Sequence, residues 1–337
     1  MNLTVSVSYK CNSRCKTCNI YKKKSDELSL LEWEKIFKKI GPAPFWVTFS
    51  GGEPFLKKDL EQLVCLMYDI CSPSIINIPT NGLLVNRIVE KVKNIAEYCS
   101  KSQIVINVSL DDIGDKHDHI RGISGSYDKA VETVSKLKSL KQKNLSLGIH
   151  TVISKYNSNR IPDIYQAMQS YKPDSYITEI AEKRVELDTL ESDIVPTEES
   201  YFAAIDFLID QLKRNEFQRI GKITKAFRIE YYKLVKRIIK EKQQPIPCYA
   251  GFASGQIAPD GDVWGCCIRA EALGNLRHSN YDLKKIWFSD NAKAFRKSVK
   301  SKECYCPLAN ASYTNMLCDF KSLIKVAFNI IRNHSKF

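Results

Sequence analysis

Between residue 1 and about residue 181 the apolar positions switch repeatedly between two periods. Short runs rich in Val, Ile and aromatic residues, bounded by Gly, Pro, Asn or Ser, predict strands over 3–9, 46–50, 75–79, 104–110, 145–153 and 176–180. Between them apolar residues recur every three or four positions and predict helices over 30–40, 57–71, 85–100, 127–141 and 161–171. In 127–141 the stripe is Ala130, Val131, Val134, Leu137 and Leu140. Strands alternating with helices of this length imply βαβ units around a parallel sheet. Six such units predict an α/β fold, a partial (βα)6 TIM-like barrel short of eight-fold closure.

After residue 181 the pattern changes. Residues 182–196 are polar and read as a loop, after which Thr197, with Glu199 and Ser200, opens a helix carrying Phe202, Ile205, Phe207, Leu208 and Leu212. A second helix, 223–242, has Phe227, Tyr231, Leu234, Val235 and Ile238 on one side and Lys and Arg on the other, and ends before Pro245 and Pro247. From Cys248 onward, 254–258 and 262–264 flank Pro259-Asp260-Gly261, a β-hairpin pattern. A helix is expected over 283–299. The last 19 residues form another amphipathic pattern: Phe320, Leu323, Ile324, Ala327, Phe328 and Ile331. The expected units are 1–190, 191–247, 248–318 and 319–337, with no internal repeat.

Charge refines this division. The net charge is +13, and residues 213–242 hold eleven Lys/Arg against three Asp/Glu, while 319–337 hold four against one. The barrel-like part is therefore close to neutral. Two readings of the basic helices stay open: apolar faces packed on the barrel with cations in water, or attachment to an anionic surface or substrate. Nucleic acid is the weaker reading, because the cations are not interleaved with aromatics of the base-stacking kind. No run of 18 apolar residues and no signal-peptide layout occurs, so the chain reads as cytoplasmic, with peripheral attachment at the inner membrane face as an alternative. Twelve cysteines in such a compartment point to metal binding or catalysis rather than disulfides.

The chemistry-bearing residues sit where a parallel α/β fold binds ligands, beyond the carboxyl ends of its strands. Cys11, Cys15 and Cys18 follow the first predicted strand, and Gly51-Gly52-Glu53-Pro54 the second. Thr80-Asn81-Gly82 follows the third, and Ser109-Leu110-Asp111 the fourth. Three thiols cannot close a four-coordinate site, and an open position is what catalysis needs. A zinc site borrowing a fourth ligand would explain the cysteines but not Gly51–Pro54.

Cys11-x3-Cys15-x2-Cys18, with Gly51–Pro54, Thr80–Gly82, Ser109–Asp111 and His117 to Arg121-Gly122, resembles the radical S-adenosylmethionine (SAM) superfamily over residues 1 to about 181. The resemblance implies a 4Fe–4S cluster held by the three cysteines, whose fourth iron takes the amino and carboxylate groups of SAM. It also implies an external electron donor of the flavodoxin or ferredoxin type. Glu53 and the carbonyls of Gly51 and Gly52 would then face the SAM ammonium, with Asn81 beside them. Asp111 or Ser109 would meet the ribose, and Arg121 the carboxylate. Many members carry an aromatic before the third cysteine; here it is Thr17.

The C-terminal cysteines resemble the auxiliary-cluster extension of that superfamily, known in a two-cluster SPASM form and a shorter Twitch form. One auxiliary 4Fe–4S cluster on Cys248, Cys266, Cys304 and Cys306 is expected. Cys318 is the substitute ligand because Cys304-x-Cys306 is tight, and a zinc ribbon on the same thiols is the alternative. Cys65, Cys71 and Cys99 are expected to be buried apolar residues.

Substrate contacts are expected from Glu179, Glu182, Lys183, Arg184 and Glu186 at the barrel mouth, unless that segment is a solvated loop. Tyr249 and Arg269 are further candidates, and Cys267 or Cys318 is a candidate hydrogen-atom donor. The expected reaction is oxidation or epimerisation of a small-molecule or glycan substrate, anionic in one reading. Cys11 lies so early that no leader-peptide-binding segment is expected before it. A peptide-modifying enzyme is the alternative, and a non-catalytic zinc or iron–sulfur scaffold is the rival of another class.

Overall fold

The computed structural model describes residues 1–215 and 220–332. Its strands are β1 (Asn2–Ser8), β2 (Trp46–Gly51), β3 (Ile75–Thr80), β4 (Gln103–Ser109), β5 (Leu145–Ile153), β6 (Ser175–Ile180), β7 (Ser254–Ile257), β8 (Asp262–Trp264) and β9 (Ala272–Asn275). Its helices are α1 (Leu30–Ile40), α2 (Leu60–Cys71), α3 (Val85–Tyr98), α4 (Asp115–Arg121), α5 (Ser126–Ser139), α6 (Ile161–Ser170), α7 (Glu198–Arg214), α8 (Ile220–Glu241), α9 (Leu283–Trp287), α10 (Asp290–Lys300), α11 (Ala309–Cys318) and α12 (Phe320–Arg332).

The six predicted barrel strands all form, each within one residue of its expected ends. They pair in parallel in the order β6-β5-β4-β3-β2-β1, the partial TIM-like barrel. Their inward and outward apolar residues, Val5, Phe49, Ile76, Ile78, Ile106 and Ile149 among them, are buried without exposure. The apolar stripes of α1 (Trp33, Ile36, Phe37, Ile40), α2 (Leu63, Val64, Met67) and α3 (Ile88, Val92, Ile95) pack into the same core.

The hairpin after Cys248 does not form a sheet of its own. β7 pairs in parallel with β1, Asn2↔Ser254 through Val5↔Ile257, and β8 and β9 continue antiparallel. The unpaired outer edge of β1 supplies the driving force, since an open edge leaves a row of backbone groups to satisfy. The opposite edge is covered by α8: Arg228 donates to the carbonyl of Tyr176 on β6, and the hydroxyls of Tyr232 and Thr178 meet at 2.7 Å.

Other expectations need correction. The helix expected over 57–71 begins only at Leu60, because Pro54–Leu56 first makes a 3-10 turn whose start Glu53 caps. The helix expected over 283–299 is two helices, broken after Trp287, and Ser289 caps the second through the Ala292 amide. β9, α4 and α11 were not predicted. α4 is only seven residues long, and α11 buries Ser312, Thr314 and Asn315, so neither shows an apolar stripe. Cys71 and Cys99 are buried as expected, but Cys65 is half-buried. The two basic helices also differ: α8 buries Ile229, Tyr231, Tyr232, Leu234, Val235 and Ile238, whereas α12 leaves Phe320, Ile324 and Phe328 exposed.

Candidate active site

The cysteine loop is built on contacts from β2. The Gly52 amide donates to the Ser8 carbonyl at 2.8 Å, and the Glu53 amide to the Lys10 carbonyl at 2.9 Å. A Cβ on Gly51 would stand 2.2 Å from the Ser8 oxygen, and one on Gly52 2.3 Å from the Lys10 oxygen. Gly51 also has φ +122°, a region only glycine enters freely. These glycines therefore first let two backbones cross beneath the loop that presents Cys11, Cys15 and Cys18. α4 holds the loop from the other side, where the amides of Arg14 and Lys16 donate to the carbonyls of Arg121 and Ile120 at 3.0 and 2.8 Å.

Glu53 is buried, and its carboxylate already has protein donors. Oε1 accepts from the Phe55 amide at 3.2 Å and the Thr80 hydroxyl at 2.9 Å, and Oε2 from the Asn81 amide at 2.7 Å. It thus ties the end of β2 to the end of β3, and burial raises its pKa to about 7 against the pull of these donors. Asn81 Nδ2 in turn donates to Asn12 Oδ1 at 2.8 Å and Ser13 Oγ at 3.1 Å, and lies 3.9 Å from Cys11 Sγ.

Asp111 is not free to meet a ribose, as the sequence suggested. It is fully buried, its Oδ1 accepts from the Val152 amide at 2.9 Å, and its Oδ2 lies 2.8 Å from Arg121 Nε. Ser109 does line the cavity. Arg121 Nη1 reaches Cys15 Sγ at 3.8 Å. The Arg121–Asp111 pair is close but not aligned for a hydrogen bond, so Nε and Oδ2 are buried without a hydrogen-bond partner. Burial pushes Cys11 up to about 11, Cys18 up to about 12 and Cys15 upward as well. Such thiols give up their protons when a metal takes over the charge.

A cavity of about 410 Å³ opens from Cys11, Cys15 and Cys18 across the strand ends to Cys266 and Cys267. The segment after β6 lines it, so this segment is not a solvated loop, although Lys183 itself is exposed. Glu179 accepts from the Ala309 amide at 2.9 Å, and lies 3.6 Å from Arg184 Nη2 and 3.7 Å from His150 Nε2. Glu182 Oε2 and Arg184 Nε are buried without a hydrogen-bond partner. Burial lifts Glu182 to about 8 and also raises Glu186, whose carboxylate accepts from Gln256 Nε2 and pairs with the Cys267 thiol.

Cys248, Cys266, Cys304 and Cys306 are near enough for a charge on Cys304 to raise Cys248 and Cys266, and for charges on Cys248 and Cys266 to raise Cys306; Cys267 is raised by Cys266 and Cys306 in the same way, so both adjacent thiols belong to this neighbourhood. Cys318 is exposed at the end of α11, where its carbonyl accepts from Tyr249 Oη at 3.2 Å. Arg269 pairs with Glu271 at 2.7 Å and lies beside Cys304; neither it nor Tyr249 lines the cavity. Among the described residues no three His, Cys, Asp or Glu side chains are grouped to hold a single metal ion. Three thiols beside the Arg121 guanidinium, and a second set of four thiols, suit iron–sulfur clusters.

Sequence reasoning missed His150 on β5 and Gln256 on β7, both lining the cavity, together with Thr48, Asn77 and Asn107 deeper in the barrel. A signal existed. Parallel strands buried on both faces read as apolar runs, and these are isolated polar residues within such runs.

Residues 5–168 match the family described as the radical SAM superfamily, and residues 248–307 the one described as SPASM, an iron–sulfur cluster-binding domain. GTP 3′,8-cyclase of Clostridium botulinum is 31% identical over 180 residues, which cover 50% of this chain and 53% of the cyclase. The chain thus spans about half the length of the curated relatives it matches. Among solved structures, native anSMEcpe with bound AdoMet and Cp18Cys peptide superposes with TM-score 0.65 at 16% identity, covering 98% of both chains. Streptococcus suis SuiB bound to precursor peptide SuiA gives 0.61 at 17%, covering 95% of this chain and 73% of SuiB. At those identities the likeness is one of fold. The chain thus carries a radical SAM domain, which implies a 4Fe–4S cluster with SAM, followed by a SPASM domain, which implies auxiliary iron–sulfur binding.

Proposed function

We propose that this enzyme oxidises a carbon centre in a polar substrate group. The observation that carries this is a cavity that runs from Cys11, Cys15 and Cys18 to Cys266 and is lined by Glu182, one of whose carboxyl oxygens is buried without a hydrogen-bond partner. Cys11, Cys15 and Cys18 would hold the 4Fe–4S cluster that, with SAM, would supply a hydrogen-abstracting 5′-deoxyadenosyl radical, and Cys248, Cys266, Cys304 and Cys306 would hold one auxiliary 4Fe–4S cluster able to take up the electron that the oxidation releases. A reductant of the flavodoxin or ferredoxin class supplies the first electron.

The chain's own groups supply the proton chemistry. Glu182, titrating near 8, is poised to exchange a proton near neutral pH. Arg184 and His150 line the same cavity and suit a substrate oxygen. Glu179, held by the Ala309 amide, anchors α11 to the barrel. Around the cavity Arg121 and Arg184 stand among Glu53, Glu179, Glu182 and Glu186, but Glu53 and Glu182 are raised to about 7 and about 8 and Glu186 is raised as well, so the walls carry no anionic excess at neutral pH. The surplus cations of the chain lie on α8 and α12, which do not line the cavity, so the net charge does not select the sign of the substrate. A peptide side chain satisfies the same chemistry as a small molecule, and the two structural neighbours described above hold peptides.

Epimerisation is the second reading, favoured by Cys267. Its thiol lines the cavity beside Glu186, and burial keeps its proton in place, as a hydrogen-atom donor requires.

The test is anaerobic turnover in D2O with SAM, a reductant, and pools of neutral, cationic and anionic alcohols, amines and short peptides. A product lacking two hydrogens supports oxidation. A product gaining one deuterium, lost in Cys267→Ala, supports epimerisation. Product with neither two hydrogens lost nor deuterium gained from any pool overturns both readings.

A further inference from the structure

α12 presents its apolar side outward. Phe320, Ile324 and Phe328 are 76%, 52% and 61% exposed, with Leu323 at 37% and Leu317, at the end of α11, at 59%. The side turned to the protein is the narrow one: Ser322 and Val326 are buried, and Asn329 donates to Glu230 on α8 at 2.7 Å. At 100° per residue Phe320, Leu323, Ile324, Ala327 and Phe328 fall on one arc, and Lys321 and Lys325 lie together along its edge. Asp319 is the acidic group near this helix start, and its carboxylate is turned back onto the Ser322 amide and hydroxyl at 2.8 and 2.6 Å.

Several cations of α8 are engaged within the protein. On α8, Lys233 pairs with Glu230, Lys236 with Asp206 and Arg237 with Glu241. Lys321 and Lys325 are exposed and make no ion pair among the described residues. An apolar arc open to water with unpaired cations on its border is the arrangement of a helix lying in a lipid headgroup layer. Scattered exposed apolar residues need no explanation, but a contiguous set on one helix face does. No helix of the described residues is long and apolar enough to cross a membrane.

We infer that α12 docks the enzyme on an anionic lipid surface, lying in its plane. Phe320, Ile324 and Phe328 enter the acyl boundary, and Lys321 and Lys325 meet headgroup phosphates. The helix is about 20 Å long, enough to seat one face, and a single short helix gives reversible attachment. This goes beyond the proposed reaction and does not depend on it.

The test is flotation of the reconstituted full chain with vesicles of phosphatidylcholine, with and without phosphatidylglycerol. Binding is expected on the anionic vesicles, weakening with salt. Lys321→Glu with Lys325→Glu should lower it at least about 25-fold, from roughly fivefold per cation. Ile324→Ser with Phe328→Ser should abolish it while leaving the melting temperature and SAM cleavage of the exposed-site variant unchanged. Equal absence of binding from both vesicles overturns the inference. So does a lipid-free dimer that Ile324→Ser/Phe328→Ser converts to monomer, because the face would then be covered by a second copy.

Discussion

Arg121 Nε stands 2.8 Å from Asp111 Oδ2, with side-chain exposures of 12% and 1%. This pair joins the end of α4 to the end of β4 directly behind the cysteine loop, and the same guanidinium reaches Cys15 Sγ. Removing one member of a buried pair leaves the other's charge uncompensated. Arg121→Met should therefore cost about 3–5 kcal/mol, read as a lowered urea midpoint at unchanged slope. Adding Asp111→Asn should recover most of that loss, since no lone charge then remains. Equal destabilisation in the single and double variants would show that the arginine's packing, not its charge, matters.

The glycine pair gives a sharper test of the loop. Alanine at position 52 would place a Cβ 2.3 Å from the Lys10 carbonyl oxygen, with backbone on both sides and no flexible side chain to give way. Overpacking of this kind costs about 1–3 kcal/mol. The strain falls on the turn into Cys11, so Gly52→Ala should lose the SAM-site cluster and keep the auxiliary one. Iron analysis should fall from about eight to about four per chain. Retention of all the iron with normal 5′-deoxyadenosine release would show that the turn can shift.

The two cysteine sets should separate cleanly in their effects. Cys15→Ala should abolish SAM cleavage. Cys248→Ala should lose about four irons, continue to release 5′-deoxyadenosine and form no product. Cys318→Ala should change neither iron content nor turnover, since Cys318 is exposed on α11 while Cys248, Cys266, Cys304 and Cys306 act on one another. Loss of iron in Cys318→Ala with full iron in Cys306→Ala would reverse that assignment.

The barrel was legible because each strand run is bounded by turn residues and each helix carries a stripe, so local pattern and tertiary packing agree. α11 was not legible because polar Ser312, Thr314 and Asn315 face inward there; Asn315 Oδ1 accepts from the Tyr249 amide at 2.7 Å. The β1–β7 pairing joins residues about 250 apart and rests on backbone bonds, which leave no mark on side-chain pattern. At the site, residue types at strand ends were readable, but their partners were not. Glu53 looked like a ligand for an ammonium group, and its three protein donors come from Phe55, Thr80 and Asn81. Only the fold sets such distances.

His117 makes a pH prediction with a definite sign. It is buried, its Nδ1 accepts from the Asp111 amide at 3.1 Å, and burial, aided by Arg121, lowers its pKa from 6.5 to about 4. The unfolded chain therefore binds a proton between about pH 6.5 and 4 that the folded chain refuses. The stability tied to neutral His117 is full above about 6.5 and lost as pH falls toward 4, by at most about 1.4 kcal/mol per pH unit. Glu32, lowered to about 2 chiefly by its hydrogen bond from Arg277, acts in a separate window: its contribution is full above about 4.5 and lost as pH falls toward 2. Between about pH 8 and about pH 5.5 Glu32 is silent, while Glu53 and Glu182, raised to about 7 and about 8, act with the opposite sign, so His117 is read as the difference between parent and variant. His117→Gln keeps a side-chain acceptor for the Asp111 amide and cannot titrate. Its midpoint should rise relative to the parent's as pH falls below about 6.5, whereas Arg277→Met should lower the midpoint by a similar amount across that whole range. A His117→Gln profile as steep as the parent's would place the acid sensitivity elsewhere.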